Sequence, residues 1–210
     1  MSTVAVTSGL GALPSRFRRE RLLIVGYGDV GQRMARNLLT GPGAQRLRVL
    51  ALTSQAERVG SLRAQGVTSL VGNLDHAATL RRLSGLATRV VHLAPPPGEG
   101  GGGAAWWRDP RTVALARALR LRSLPVSLVY ASTSGVYGDC AGALVAETRT
   151  VAPGTPRAQR RVNAERAVRH LGRAGAGAGA YLRPAVAWPA AGMACAVRDS
   201  VTADLRGGAH

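Results

Sequence analysis

Three glycines at the end of a short apolar run are the residues whose type and spacing most directly indicate chemistry. Gly26, Gly28 and Gly31 fall in the pattern G-x-G-x-x-G. In this pattern the first glycine allows a tight turn, the second lets a pyrophosphate approach the backbone, and the third lets a helix pack close to a strand. The spacing therefore predicts a dinucleotide site. A tight turn without a ligand is the alternative.

The residues on either side of the glycines predict the elements that such a site needs. Residues 22–25 form a branched, uncharged run, as expected of a strand buried on both faces of a parallel sheet. Apolar side chains from Val30 to Leu39 then repeat at helical spacing. The free N–H groups of that helix would face the loop, so Tyr27, Asp29 and Val30 are also expected beside the cofactor.

The rest of the chain alternates strand and helix patterns. Further strands are expected at 47–53, 67–71, 88–93 and 126–131, and helices at 58–65, 76–83 and 106–121. Asp75 is expected to cap the helix at 76–83. This alternation predicts an α/β fold of the Rossmann type, a doubly wound parallel sheet of six or seven strands in the order 3-2-1-4-5-6, with helices on both faces.

The end of the second strand bears on the choice of nicotinamide cofactor. An acidic residue there would hold the ribose 2′-hydroxyl of NAD, whereas a basic or small polar residue tolerates the 2′-phosphate of NADP. The chain has Thr53, Ser54 and then Arg58, with Glu57 one place too far on to serve as the ribose ligand. NADP is therefore favoured over NAD. A solvated helix residue is the alternative interpretation of Arg58.

The fourth and fifth strands end in segments that would meet at one edge of the sheet, where ligands bind in open α/β folds. Residues 95–97 are three prolines and predict a stiff exit, which leads into a glycine run up to Gly103. Residues 132–139 carry a cluster of hydroxyls that can bind a substrate or cap the next turn. His92 lies inside the strand pattern, so a core position is expected for it.

Composition limits the classes of partner. The net charge is +17, but the 28 basic residues are all arginine and are spread along the chain, which argues against a specific nucleic-acid site. No apolar run approaches the roughly 20 residues that span a bilayer. Two cysteines predict no disulfide framework and a cytoplasmic location, and no Cys/His cluster has metal-ligand spacing. A small-molecule substrate is expected, and a homodimer is left open.

Five segments together resemble a known family. They are GYGDVG at 26–31, GNLD at 72–75, HLAPPPG at 92–98, STSGVYGD at 132–139 and the tract 151–165. The chain resembles the NAD(P)-dependent epimerase/dehydratase group of short-chain dehydrogenases, and within it an atypical, YeeZ-like bacterial subgroup. The resemblance implies hydride transfer on a small carbonyl compound or sugar nucleotide. The resemblance covers an NAD(P)-binding domain at 21–184, with the family's C-terminal substrate lobe truncated or missing. Residues 1–20 are expected to be a flexible leader, because their arginines follow the apolar part, the wrong order for a secretory signal. Residues 185–210 show no clear periodicity and are expected to be an irregular tail.

The resemblance also implies roles for individual residues. Thr133 matches the family's active-site Ser/Thr, and Asn73 and Leu74 match the residues beside the adenine. The remaining cofactor positions are Leu93, Ala94 and Pro95 along the ribose and phosphates, Ser132 beside Thr133, and Pro184 near the carboxamide.

The family's acid/base pair is replaced in this chain. Its tyrosine and lysine positions are occupied by Arg157 and Arg161, and the chain contains no lysine. Arg161 would keep a positive charge and ribose contacts, but an arginine cannot act as the proton shuttle in place of a phenol. Tyr137 is the only nearby phenol that could substitute. Two functions stay open, an NAD(P)-dependent enzyme and an NAD(P)-binding sensor or regulatory protein. Arg161, Glu165 and Arg169 could instead form a salt-bridged surface row.

Overall fold

The computed structural model describes residues 19–98, 105–141 and 143–173, and the backbone of 178–182. Several of the expectations above concern other residues. The leader before residue 19, the glycine run from 99 to 103, Pro184 and the tail at 185–210 lie outside the described residues.

A single parallel sheet of six strands runs through the described chain, in the order β3-β2-β1-β4-β5-β6. This confirms the predicted topology. Along the chain, β1 is the central strand, β2 and β3 are added on one side of it, and β4, β5 and β6 are added on the other side. The carboxyl ends of β1 and β4 are therefore adjacent where the winding reverses, which is where open α/β sheets bind ligands. The strands are β1 (Glu20–Val25), β2 (Leu47–Thr53), β3 (Thr68–Val71), β4 (Arg89–His92), β5 (Ser127–Ala131) and β6 (Ala178–Leu182).

Helices cover both faces of the sheet. They are α1 (Asp29–Thr40), α2 (Val59–Ala64), α3 (Ala77–Leu80), α4 (Pro110–Leu119) and α5 (Pro156–Arg173). Within the described ranges, no helix combines the length and apolar character needed to cross a membrane.

The side chains of β1 alternate between two hydrophobic clusters. Leu23 and Val25 pack in the cluster that includes α3, α4 and α5. Leu22 and Ile24 pack in the cluster that includes α1 and α2. Because neither face of β1 is exposed to water, the strand is apolar at successive positions instead of alternating with polar residues.

The helix expected at 106–121 is shorter than its apolar pattern suggests. α4 begins at Pro110, where the buried Asp109 accepts hydrogen bonds from the backbone N–H groups of Arg111 at 3.0 Å and Thr112 at 3.3 Å. A carboxylate at the N-cap followed by proline at the first helical position is a strong start signal. Residues 105–107 form a turn before it.

The predicted cap at Asp75 is wrong. The residue at the N-cap of α3 is His76, and it makes no side-chain capping bond. Asp75 instead pairs with Arg111 of α4. α3 itself is one turn that continues as a 3-10 turn at Arg81–Leu83, and α2 is preceded by a 3-10 turn at Ala56–Arg58.

The sixth strand of the predicted order lies partly in the alanine- and glycine-rich tract after α5. β6 begins at Ala178 and pairs in parallel with β5 from Ser127 to Ala131. Alanine and glycine have low strand propensity, so the sequence gives no local signal here. The hydrogen-bonded pairing with β5, which is already part of the sheet, orders this segment as a strand.

Candidate functional site

The glycine turn follows β1 directly. Gly26 has a φ of +92°, a conformation that residues with a Cβ rarely adopt. A Cβ at this position would lie 2.8 Å from the Ala94 Cα and 2.9 Å from the Leu93 carbonyl carbon. A Cβ on Gly31 would approach the Gly26 carbonyl oxygen to 3.0 Å and the Ile24 Cγ2 to 3.3 Å. These two glycines make the tight turn and the close helix–strand packing that their spacing predicted.

Gly28 stands in open space between them. No atom lies within 4 Å of the position its Cβ would take, and its φ is −83°. Gly28 is also the N-cap of α1, and it has no side chain to occupy the first N–H groups of the helix. Asp29 is exposed and pairs with Arg33 at 3.0 Å, and Val30 is 65% exposed. The opening of α1 is thus free of packed side chains, as an anion site requires.

Tyr27 contributes its backbone to this turn and its ring to the core. The ring is buried among residues of the α1–α2 face, and its hydroxyl donates to the Gln65 Oε1 at 3.4 Å. Burial raises the pKa of Tyr27, and the charges of Arg58 and Arg36 oppose that shift. The two arginines therefore lie near this ring.

Arg58 follows β2, and its side chain extends over the glycine turn. Its Nη2 donates to the Tyr27 carbonyl oxygen at 3.2 Å, and the side chain is half-buried. It is not the fully solvated helix residue of the alternative interpretation. Ser54 is exposed, and the Thr53 hydroxyl accepts the Gln55 N–H at 3.2 Å.

The turn after β3 is fixed by side-chain bonds. The Asn73 Oδ1 accepts the Asp75 N–H at 3.0 Å, and the Thr79 hydroxyl accepts the Asn73 N–H at 3.0 Å. Leu74 is partly buried against the core cluster of the α3–α5 face. The predicted adenine residues thus sit on a well-ordered turn at the carboxyl edge of the sheet.

The exit from β4 is joined to β1. The backbone N–H groups of Leu93 and Ala94 both donate to the Val25 carbonyl oxygen, at 2.7 and 3.1 Å. Pro95 follows with its carbonyl oxygen accepting from Arg111 at 3.3 Å. The structure therefore brings this segment against the glycine turn.

The hydroxyls after β5 are already engaged. Ser132 is buried and donates to the Glu165 Oε1 at 2.6 Å. The Thr133 hydroxyl accepts the Gly135 N–H at 3.5 Å at the start of a 3-10 turn, so it has the capping role that was left open for it. Tyr137 is buried beside Val136 and Val162, which is the packing alternative to an acid/base role.

The two arginines at the family's tyrosine and lysine positions have different environments. Arg157 is exposed in the first turn of α5. Arg161 is buried, and its Nη1 donates to the Ala131 carbonyl oxygen at 2.6 Å and to the Tyr130 hydroxyl at 3.1 Å. Since Glu165 is buried as well, the alternative of a salt-bridged surface row is wrong for these two residues. The Glu165 Oε2 does lie 3.9 Å from the Nη2 of the half-buried Arg169, at the end of the row.

A buried polar chain behind the site was not foreseen from the sequence. The His92 Nε2 lies 2.9 Å from the Thr112 hydroxyl, which donates to the Asp109 Oδ2 at 2.6 Å. The Asp109 N–H donates in turn to the Asn163 Oδ1 at 2.9 Å. Burial, with the nearby charge of Arg161, lowers the pKa of His92 to about 3, and burial raises the pKa of Asp109. The core position expected for His92 is confirmed. For Asp109 and Thr112, the available sequence signal was the helix start at Asp109 and Pro110.

No group of three or more His, Cys, Asp or Glu side chains in the described ranges could hold a metal ion. The residues that could hold a ligand are those at the carboxyl edge of the sheet, with the α1 N-terminus as the evident place for an anion.

Comparison with known families identifies one match. The model of the TrkA-N domain, an NAD-binding Rossmann domain, matches residues 22–94. This range runs from β1 through the glycine turn to the exit of β4. Residues 22–94, about a third of the chain, are therefore similar to a domain of this type. No curated protein matches the sequence significantly.

Solved structures with the same fold include several nucleotide-sugar enzymes. UDP-glucuronic acid 4-epimerase from Bacillus cereus, in complex with UDP-glucuronic acid and NAD, is 19% identical with a TM-score of 0.59, covering 78% of this chain and 55% of that one. The dTDP-glucose 4,6-dehydratase DesIV from Streptomyces venezuelae, with NAD and TYD bound, is 22% identical with a TM-score of 0.62 and the same coverages, 78% and 55%. The UDP-Glc/GlcNAc 4-epimerase from Campylobacter jejuni is 17% identical with a TM-score of 0.63, covering 78% and 53%.

At these identities the likeness concerns the fold alone. The chain also spans only about half the length of the solved structures it matches. Taken together, the comparisons show a Rossmann-type fold for this chain and a similarity of residues 22–94 to the TrkA-N domain.

Proposed function

We propose that this protein binds NAD(P) and serves as an oxidoreductase or epimerase/dehydratase of the short-chain dehydrogenase type, within a YeeZ-like subgroup. The observation that carries the proposal is the turn between β1 and α1. Gly26 and Gly31 are tightly packed against their neighbours, whereas Gly28, at the N-terminus of α1, faces open space. A pyrophosphate is the ligand for which that combination is suited, because it needs close backbone approach and free N–H groups.

NADP is the cofactor that the end of β2 favours. Arg58 holds a cation over the Tyr27 carbonyl, and the charge of Arg36 opposes the rise that burial causes in the pKa of the same tyrosine. Two cations without an acidic ribose ligand at Thr53 and Ser54 suit a 2′-phosphate better than a free hydroxyl. The Bacillus cereus epimerase and the Streptomyces venezuelae dehydratase carry NAD, so the proposed cofactor preference differs from theirs.

The nicotinamide would supply the hydride, and the protein supplies binding and orientation. Ser132 and Thr133 lie where β5 ends at the cofactor edge, and their hydroxyls are the groups suited to orient a small carbonyl or a sugar nucleotide. The same proposal includes a cytoplasmic location and a small-molecule substrate, with a homodimer left open.

A second function, an NAD(P)-binding sensor, is favoured by the environment of the acid/base positions. The tyrosines whose side chains the structure describes are buried, namely Tyr27, Tyr130 and Tyr137. Arg157 is exposed, and the Arg161 guanidinium binds the end of β5. None of these side chains is an exposed phenol, and an arginine cannot act as a proton shuttle, whereas the glycine turn is intact.

The test is a fluorescence titration of NADPH and NADH with three variants. Gly28→Ala is expected to fold and to weaken both cofactors at least tenfold, roughly, because its Cβ would occupy the pyrophosphate position. Gly60→Ala, in exposed α2 with open space around it, is the matched control. Arg58→Gln is expected to weaken NADPH and to leave NADH unchanged.

Turnover assays then separate the two functions. The wild type is mixed with NADPH or NADP and a panel of sugar nucleotides and small carbonyl compounds. Turnover supports the enzyme, and binding without turnover, unchanged in Tyr137→Phe, supports the sensor. A wild type that binds neither NADPH nor NADH refutes both functions.

A further inference from the structure

A bidentate ion pair joins two segments at the predicted adenine end of the site. The Arg111 Nε donates to the Asp75 Oδ1 at 2.7 Å, and its Nη2 donates to the Oδ2 at 2.6 Å. The third nitrogen, Nη1, donates to the Pro95 carbonyl oxygen at 3.3 Å. One guanidinium therefore holds the turn after β3, the exit of β4 and the first turn of α4 in a fixed arrangement.

Both partners of the pair are themselves held by the backbone. The Asp75 N–H donates to the Asn73 side chain, which fixes the carboxylate relative to the predicted adenine residues. The Arg111 N–H donates to the buried Asp109 at 3.0 Å, and the Asp109 N–H donates to Asn163 of α5. The backbone of Arg111 is thus fixed to α5 through Asp109. The position of its guanidinium therefore does not depend on a flexible side chain alone.

The pair is ionised and partly shielded from solvent. The hydrogen bonds that Arg111 donates hold the pKa of the Asp75 carboxyl below its usual range. The exposed fractions of the Arg111 and Asp75 side chains are 26% and 42%, against 73% for both partners of the Asp29–Arg33 pair. A bidentate fork in this setting fixes geometry better than a fully exposed ion pair.

The segments joined by this pair contain the residues expected to contact the adenosine. Asn73 and Leu74 lie on the Asp75 side, and Ala94 and Pro95 lie on the β4 side. We propose that Asp75 and Arg111 are positioning residues for the adenine nucleotide, which keep these two walls at the separation that the adenosine needs. The proposal rests on the proposed NAD(P) function and deepens it. The pair acts through its neighbours by arranging the site before the ligand arrives, which reduces the ordering cost of binding.

The experiment compares ligands that contain different halves of the cofactor. AMP, nicotinamide mononucleotide and NADPH are titrated by calorimetry into the wild type, Asp75→Asn, Arg111→Gln and the double variant. AMP and NADPH are expected to weaken by the same factor, about tenfold, and nicotinamide mononucleotide is expected to be unaffected. Arg111→Lys keeps the charge without the fork and should give a smaller loss than Arg111→Gln. The double variant should resemble the single variants, since either change removes the same bridge.

Glu20→Gln is the matched control. Glu20 and Arg89 form another bidentate, partly exposed pair, with bonds of 3.1 and 3.2 Å, at the amino ends of β1 and β4. Breaking it should leave the affinities for all three ligands unchanged, because it lies at the opposite edge of the sheet.

Three results would overturn the proposal. Unchanged AMP affinity in Asp75→Asn, with a wild type that binds NADPH, refutes the positioning role and leaves the proposed function standing. An equal loss for nicotinamide mononucleotide shows general damage to the domain and refutes a role confined to the adenine end. A wild type that binds neither AMP nor NADPH refutes the proposed function and this inference with it.

Discussion

Replacement of Gly26 by alanine tests whether the glycine turn is as constrained as its geometry indicates. The positive φ of +92° costs a residue with a Cβ about 1–2 kcal/mol. The new Cβ would also lie within 3.0 Å of backbone atoms of Leu93 and Ala94, which belong to the exit of β4 and cannot rotate away. Overpacking of this kind typically costs about 1–3 kcal/mol.

One effect works in the opposite direction. Alanine restricts the unfolded chain more than glycine, which favours the folded state by about 0.4–1 kcal/mol. Gly26→Ala is therefore expected to lower the free energy of unfolding by about 2–4 kcal/mol. Out of a total stability of about 5–15 kcal/mol, this is a large fraction.

The assay is urea unfolding followed by far-UV circular dichroism, with two glycines of the same domain as comparisons. Gly28→Ala should change stability by less than about 1 kcal/mol, since the position has an ordinary φ and open space and loses only a modest N-cap preference. Gly60→Ala, in the exposed helix α2, should raise stability by about 0.5–1 kcal/mol. If Gly26→Ala unfolds at the same urea concentration as Gly28→Ala, the account of the turn is refuted.

Two further predictions concern the buried polar groups. Because burial lowers the pKa of His92 to about 3, the folded protein does not take up the proton that the unfolded chain binds below pH ~6.5, so stability is present above that pH and is lost on acidification. Urea unfolding at pH 7 and 4.5 should show a loss about 2–3 kcal/mol larger for the wild type than for His92→Gln, and an equal loss in both proteins would contradict this. Ser132→Ala removes a donor from the buried Glu165 and should cost about 1–3 kcal/mol. The neighbouring Ser134→Ala serves as its control, and equal midpoints for the two variants would show that the Ser132 bond adds no stability.

The sequence predicted best where periodicity and backbone chemistry coincide. The buried run of β1, the glycine turn and the amphipathic α1 each have a strong local signal, and the six-strand order followed from the regular alternation of elements. The predicted bounds of α4 were too wide because the apolar spacing extends beyond the helix, whereas Asp109 and Pro110 determine where it begins. The start of β6 has no local signal, because alanine and glycine carry no strand signature and the order of this segment comes from its pairing with β5.

Side-chain partners across long sequence separations were the least predictable part of the site. Asp75 precedes a helix, and the local pattern therefore indicated a cap. Its partner Arg111 is 36 residues away and is one of 28 arginines. Nothing local distinguishes that arginine from the others, so only the folded arrangement of β3, β4 and α4 selects it.

The two ends of the predicted cofactor site differ in how far their groups are committed to the protein itself. At the β1–α1 turn, Gly28 leaves the helix N-terminus open to a ligand. At the end of β5, the polar groups already have protein partners, since Ser132 binds Glu165 and Arg161 binds the Ala131 carbonyl. A ligand can use the first end without disturbing the fold, whereas chemistry at the second end requires those groups to serve two purposes or to exchange partners. Cofactor binding and turnover should therefore respond to different substitutions, with Gly28→Ala acting on binding and changes around Ser132 and Arg161 acting on turnover.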